Sequence, residues 1–450
     1  MKKNFTTKIF ASIKRGNECV ITPHFAIRHS IVLLFSFILL LPTAAFSQSW
    51  IWAKSAGGSN RDMGYNITTD ATGNVLVTGY FNSSSITFGT TTLTNAHADS
   101  ADIFLVKYDP SGNVLWAKSA GGSASDIGNS VTTDATGNVF VTGYFKSSTI
   151  TFGTYTLTNS GDGDIFLVKY DPSGNVLWAK SAGGTNSDVG WSVTTDATGN
   201  VFITGYFESS SITFGTYTLT NAHAGDGDIF LVKYDPSGNV LWVKSAGGTN
   251  EDWGNWGTSV TTDASGNVFV TGVFGSSPMT FGTYTLTKVG GSDIFLVKYD
   301  PNGNVLWAKS AGGTNEDWGN SVTTDATGSV FVTGSFESSS VTFGTYTLTN
   351  AGDGDIFVAK FGTSTGIEEI PAENNINIFP NPASDYIYIN STFFDGSGMW
   401  EYQIYDILGN CVQSGAIESE KININQLSSG FYTVRFFNGG KQVVEKLMKE

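Results

Sequence analysis

Cysteine is almost absent from this chain, with only Cys19 and Cys411 in 450 residues. The first lies in a leading segment expected to be removed, so no intrachain disulfide can form in the mature protein. Stability must come from packing, for which the chain is long enough. Histidine is as scarce: of four, only His97 and His223 lie beyond residue 47, in matching A-H-A insertions. Two such isolated imidazoles make no metal site, and no metal or cofactor is expected. Positive charge is also short, at 24 Lys and Arg against 39 Asp and Glu. That balance argues against nucleic acid or anionic lipid as a partner. Sustained helical periodicity is missing after residue 48. The longest apolar run, residues 31–41, falls short of the roughly 20 residues that span a bilayer, so no membrane span is expected in the mature chain.

What the chain has instead is a repeat. The phrase W-A-K-S-A-G-G begins at Trp52, Trp116, Trp178, Trp242 (as W-V-K-S-A-G-G) and Trp307. A period of about 64 residues signals an array of like supersecondary units. Each unit reads as two hairpins. In the second, Ser130-Val131-Thr132-Thr133 leads through the turn D-A-T-G-N to a strand over residues 139–145. A spacer follows, then a strand over residues 164–170, the turn D-P-S-G-N, and a strand over residues 176–180. Val, Ile, Phe, Tyr and Thr fill the strands, while Asp, Pro, Gly and Asn punctuate them. The fold class is all-β.

The runs Ile-Phe-Leu-Val and Val-Phe-Val are apolar on both faces, which places these strands between two other layers. Four such strands per unit, radially repeated, make a β-propeller blade. One strand, residues 50–54, precedes the first unit, and the fifth unit stops before its own V-L-W-A-K strand. The expectation is therefore a five-bladed propeller over residues 48–361, closed by the N-terminal strand, which would pair both open edges. The phrases D-A-x-G-N-V-x-V-T-G (Asp134 to Gly143) and D-x-x-G-N-x-x-W (Asp171 to Trp178) resemble the bacterial β-propeller repeat family called SBBP. That family's name implies seven blades, whereas this chain supplies five. The resemblance implies no defined activity.

The two ends read differently. Residues 1–47 combine six basic residues, the apolar run and Ala45-Phe46-Ser47 before Gln48, a signal peptide with cleavage between Ser47 and Gln48. Its six basic residues and one acidic residue leave 18 and 38, a mature net charge near −20. Residues 362–375 are a polar linker. Residues 376–450 carry Phe379-Pro380-Asn381-Pro382, a D-x-x-G turn at Gly409, an L-x-x-G-x-Y motif with Gly430 and Tyr432, and Lys446. This series is similar to the type A C-terminal sorting domain of the type IX secretion system of Bacteroidetes. The resemblance implies an immunoglobulin-like β-sandwich, the type IX machinery as partner, and a secreted or surface-attached destination.

Chemistry is poorly provided for. Near-identical repeats put the same residues at five equivalent places, and most acidic residues are turn formers. The G-D-G-D segments fall short of a calcium loop's ligand number, and the Gly-Gly pairs precede no helix that could cradle phosphate. No catalytic residue is named, and no enzyme is expected. What varies is the region after each W-A-K-S-A-G-G, which holds Trp191, Trp253, Trp256 and Trp318. The fourth copy looks lengthened by Trp256-Gly257-Thr258. Large aromatics on loops suit stacking on sugar rings or on a protein partner. These four tryptophans are the expected ligand-binding residues, for an extracellular glycan or protein. The alternatives are a hydrolase or lyase acting on polysaccharide and a purely structural surface component.

Overall fold

The structure, a computed structural model, describes residues 49–97, 99–221, 223, 225–248, 255–362, 378–389, 400–417, 419–438 and 441–450. The signal segment, its Ser47/Gln48 cleavage site, most of the linker and Trp253 lie outside the described residues.

Every described element is a strand. In the second unit the sheet runs Asp126–Thr133, Val139–Phe145, Asp164–Tyr170 and Val176–Ala182, each antiparallel to the next in chain order. Two Asp turns set this register. Asp134 accepts the backbone N–H groups of Thr136 and Asn138 on one oxygen and the Asn138 amide on the other. Asp171 does the same for Ser173 and Asn175. Gly137 and Gly174 close these turns at φ 82° and 84°, the left-handed region that a side chain would disfavour. Lys169 of the third strand reaches Asp134 and lies over the Phe140 ring, tying the hairpins together.

One element departs from the expectation. The spacer between the second and third strands is itself a hairpin, Thr149–Phe152 paired with Tyr155–Thr158, and each unit has one. Its Ile150, Phe152 and Leu157 are buried against the sheet, and the Tyr155 hydroxyl donates to the Leu177 carbonyl. The alternation in T-I-T-F-G-T-Y-T-L carried the signal, with Gly153 at φ 60° for the turn.

The sheets stack face to face, the blade arrangement of a β-propeller. The first strand of each sheet packs on the first three strands of the sheet before it. The third strand of the second unit is therefore buried at all seven positions. Ile103 and Leu105 of the first sheet share one core with Val131, Val141 and Phe166 of the second. Hydrogen bonds run along the stack: the hydroxyls of Thr133, Thr195, Thr262 and Thr324 donate to the carbonyls of Thr69, Thr133, Thr195 and Thr262.

Among the described residues, closure by the N-terminal strand is not found. The fifth sheet, Asp317–Thr324, Val330–Phe336 and Asp355–Phe361, stays three-stranded, and residues 50–54 form no strand. Closure would require the outward faces of the first and fifth sheets to bury one another as neighbouring sheets do. Ile67 on the first is 65% exposed and Val358 on the fifth 70%, so no paired face brings a fourth strand to the open edge.

Beyond the linker, two further antiparallel sheets share one apolar cluster. One is Ile378–Phe379, Tyr386–Ile389 and Lys421–Asn423. The other is Cys411–Ala416, Glu401–Tyr405, Gly430–Asn438 and Lys441–Lys449. Ile387 and Ile422 of the first meet Ile404, Val434, Phe436 and Leu447 of the second.

Equivalent positions in the stack should respond unequally to truncation. Leu167→Ala, inside a junction, should lower unfolding free energy by about 2–5 kcal/mol. Val358→Ala, the same position on the open face, should change it by roughly 0.5 kcal/mol or less. Urea melts at low protein concentration check the contrast.

Candidate binding face at the loop end of the sheets

Each first strand begins with the same short sequence of roles, and the site is built from it. The leading residue is Asp62, Asp126, Asp188 or Asp317, with Asn255 in the fourth unit. Asp126 accepts the hydroxyl and the N–H of Ser147 and the N–H of Lys146. Asn255 keeps this pattern, its Oδ1 accepting from Gly275 and Ser276 and its Nδ2 donating to Ser276. The Gly-Gly of W-A-K-S-A-G-G is explained here as well. A side chain on Gly121 would collide with the Asp102 carboxyl, and one on Gly122 with Ser147. The pair lets the chain cross between sheets over buried acids.

These acids come in pairs across the junctions. Asp126 donates its backbone N–H to the Ala101 carbonyl, next to Asp102. Asp188 does the same to Gly163, next to Asp164, and Asp317 to Ser292, next to Asp293. Burial pushes Asp102, Asp164 and Asp293 up to about 6, with the neighbouring Asp126, Asp188 and Asp317 charges adding to the shift. Each of the three leaves its Oδ1 buried and without a partner among the described residues. Burial also raises Asp126 and Asp188. These carboxyls are buried, and Asp102, Asp164 and Asp293 accept the backbone N–H groups of Ala96, Ser160 and Val289.

Above the acids lies a row of rings. Residue two of the first strand is Met63, Ile127, Val189, Trp256 and Trp318 in turn, and residue four is Tyr65, Asn129, Trp191, Thr258 and Asn320. The fourth residue is the extra one of a β-bulge in every unit, as at Gly190/Ser192. Trp256 stacks on Tyr206 at 5.4 Å between centroids and meets Trp318 edge-on at 5.2 Å. Tyr65 meets Tyr80 edge-on at 5.4 Å. Burial pushes the Tyr206 hydroxyl up to about 12. Trp191, Trp256 and Trp318 are half-buried. The indole N–H groups of Trp191 and Trp256 have no acceptor among the described residues.

The structure thus brings Trp256 and Trp318 together and puts Trp191 on the same end of its strand. It also moves them. They lie in the opening residues of strands and not in loops, and Trp256, Gly257 and Thr258 belong to the strand Trp256–Thr262. Because Asn255 takes the leading position, the three extra residues of the fourth unit fall before it, in a segment outside the described residues. The tyrosines Tyr80, Tyr144 and Tyr206 of the second strands were missed. Their signal was the T-G-Y-F end of those strands, which must reach the same edge as the start of the first. His223 pairs with Asp226 at 2.9 Å on the surface, and among the described residues no group of acids, histidines and cysteines could hold a metal. A peripheral depression of about 310 Å³, lined by Lys118, Phe152, Tyr170 and Val176, contains no carboxylate and none of the row.

The sorting motif residues meet the last strand. Asn381 donates to the Lys446 carbonyl at 2.6 Å and accepts the Met448 N–H at 2.8 Å. Phe379 stacks on Tyr388, and the Tyr432 hydroxyl donates to the Ser428 carbonyl. Gly409 closes the Asp406 turn at φ 82°. Pro380 and Pro382 flank Asn381 in the same box.

With the geometry in place, comparisons with known proteins become informative for one part of the chain. Residues 377–450 match the family described as the secretion system C-terminal sorting domain. The chain therefore carries a type IX sorting domain, and its destination is the cell surface or extracellular space. Among the described residues no helix is long and apolar enough to cross a membrane. An uncharacterized WD repeat-containing protein of Acanthamoeba polyphaga mimivirus is 25% identical over 73% of this chain and 29% of its own length. The regulatory protein FlaEY of Caulobacter vibrioides is 27% identical over 43% of this chain and 20% of its own. The chain thus spans less than a third of these curated relatives. Among solved structures, PorZ, a surface component of the type IX secretion system of Porphyromonas gingivalis, shares 12% identity, covering 86% of this chain and 45% of its own, at a TM-score of 0.27. The extracellular domain of BT4673 from B. thetaiotaomicron shares 10%, covering 88% and 57%, at 0.28. Likenesses that low carry no weight here.

The buried acid pairs set a pH dependence. The folded pKa of Asp102, Asp164 and Asp293, about 6, exceeds the ordinary 3.8, so the folded chain holds protons that the unfolded chain releases. The associated stability is present near pH 4 and is lost as pH rises through about 6. The urea midpoint should therefore be higher at pH 5 than at pH 7, and Asp164→Asn should flatten that difference. Equal midpoints in the parent protein would refute the pairing.

Proposed function

We propose that this is a surface-displayed binding protein without catalytic activity, and that the ring row engages an extracellular glycan or a protein partner. The carrying observation is the contiguous set Tyr206, Trp256 and Trp318, half-buried and held by the first and second strands. Rings fixed this way lose little entropy on binding and present a flat apolar face with a polar edge. The indole N–H groups of Trp191 and Trp256 are buried, so the row would offer its ring faces and edges to a ligand and not these donors. Against catalysis stands the position of the carboxyls. Glycoside hydrolysis needs two acids flanking an accessible bond, and the pairs here are enclosed and occupied with backbone. Trp253 belongs to the same proposed site by sequence.

A glycan panel tests the reading with the mature chain, scoring retention and product release separately. Retention without product is the expected result, and Trp256→Ala with Trp318→Ala should weaken it by roughly tenfold or more. Product release would replace the reading with a polysaccharide-acting enzyme. Neither signal, with no protein captured, would leave a structural surface component.

The sorting domain is expected to address the protein and to leave ligand binding alone. A chain lacking residues 376–450 should accumulate in the periplasm of a host with type IX secretion. Normal surface levels of the truncated chain, measured by surface proteolysis, would contradict this.

A further inference from the structure

The stack ends in two open faces that are the two halves of an interface already made four times inside the chain. At each internal junction the third strand gives its first, third and fifth apolar or basic residues to the next sheet. Ile103 and Leu105 are buried there, as are Ile165 with Leu167, Ile229 with Leu231, and Ile294 with Leu296. The fifth sheet has the same positions filled by Ile356 and Val358, 83% and 70% exposed. Lys107 and Asp70 pair in the buried junction with side chains 4% exposed, and Lys107 also donates to Pro172 of the next sheet. Lys360 and Asp325 make the same pair in the open, at 57% and 34%.

The first sheet shows the reciprocal half. Val131, Val193, Val260 and Val322 are buried against the preceding sheet, and their equivalent Ile67 is exposed. The backbone N–H groups of those valines donate to Asn66, Ser130, Ser192 and Ser259. The Ile67 N–H and the Thr69 hydroxyl have no such acceptor among the described residues, while Ser321 and the Thr324 carbonyl, the next in the series, stand at the other end. Apolar residues, hydrogen-bond donors and acceptors all match by repeat equivalence. The edge of Asp355–Phe361 is also unpaired by any described strand, which adds a row of backbone groups to the same face.

We infer that a second copy of this chain covers the fifth sheet, seating its own first sheet there as each sheet seats the next. The contact is heterologous, because the two surfaces that meet are different. Copies therefore add head to tail, into a closed ring of chains or a filament. The junction reproduces the internal one: Ile67 of one copy enters between Ile356 and Val358 of the other, and the Thr69 hydroxyl continues the ladder onto Thr324.

Light scattering and sedimentation of the mature chain test this. The parent protein should exceed the mass of one chain and grow with concentration. Ile67→Lys removes one half-face and Val358→Lys the other; both positions are exposed, so each variant should keep the parent's circular dichroism, and its thermal transition should no longer depend on protein concentration. Alone, each variant should give one-chain mass. Mixed in equal amounts, the two should form a species of two chains and no larger, because one intact half-face remains on each partner. A parent protein of one-chain mass at every concentration would overturn the inference. So would assembly that survives in either variant, or a mixture that stays at one-chain mass.

Discussion

The structure depends on strands that are apolar on both faces. A strand such as Asp164–Tyr170, Ile-Phe-Leu-Val at its centre, is stable only with a layer on each side, and burying one such side chain contributes about 1.5–3 kcal/mol. One unit cannot supply both layers, so each sheet is completed by the next. That single requirement accounts for the repeat, for the near-identity of the units and for the Lys–Asp pairs buried at the junctions. It also makes the ends of the array unlike its middle. Ile356 and Val358 are as apolar as Ile165 and Leu167, and lie in the open because no described sheet packs on them.

Stacking sheets this closely forces the chain to cross between them, and the crossing is where the polar chemistry gathers. Gly121 and Gly122 leave room for Asp102 and Ser147, and Asp126 receives the donors that the turn exposes. The acids are thus consequences of packing, which is why they are enclosed and why their protons are held above the ordinary range. The same crossing places the opening residues of each first strand side by side. At these positions the units are free to differ, since the crossing itself is secured one residue earlier by Asp or Asn255. The rings of Tyr206, Trp256 and Trp318 meet there across three sheets.

Local turn chemistry and two-residue alternation were legible throughout. D-A-T-G-N and D-P-S-G-N predict their hairpins because the Asp oxygens and the glycine conformation need only neighbours within four residues. The sorting domain was equally legible from Asn381, which bonds to the last strand, and from Tyr432 and Lys446, which lie in the two C-terminal strands. The hairpin Thr149–Phe152 with Tyr155–Thr158 was overlooked although its alternation was present, since a four-residue strand next to polar spacers reads as loop. Trp256 was assigned to an insertion because the Trp-Gly-Asn-Trp-Gly segment can be aligned in two registers. Only the position of Asn255, filling the place of Asp126, decides between them.

The sequence by itself determined the element type, the turn geometry, the repeat and the sorting domain, because each rests on interactions within a few residues or on a motif read in order. Tertiary structure alone decided whether the ends of the array meet. Closure depends on the rotation between stacked sheets, summed over five of them, and no short stretch of sequence encodes that sum. It also decided which rings touch, since Trp256 and Trp318 are 62 residues apart and become neighbours only when their strands are laid on adjoining sheets.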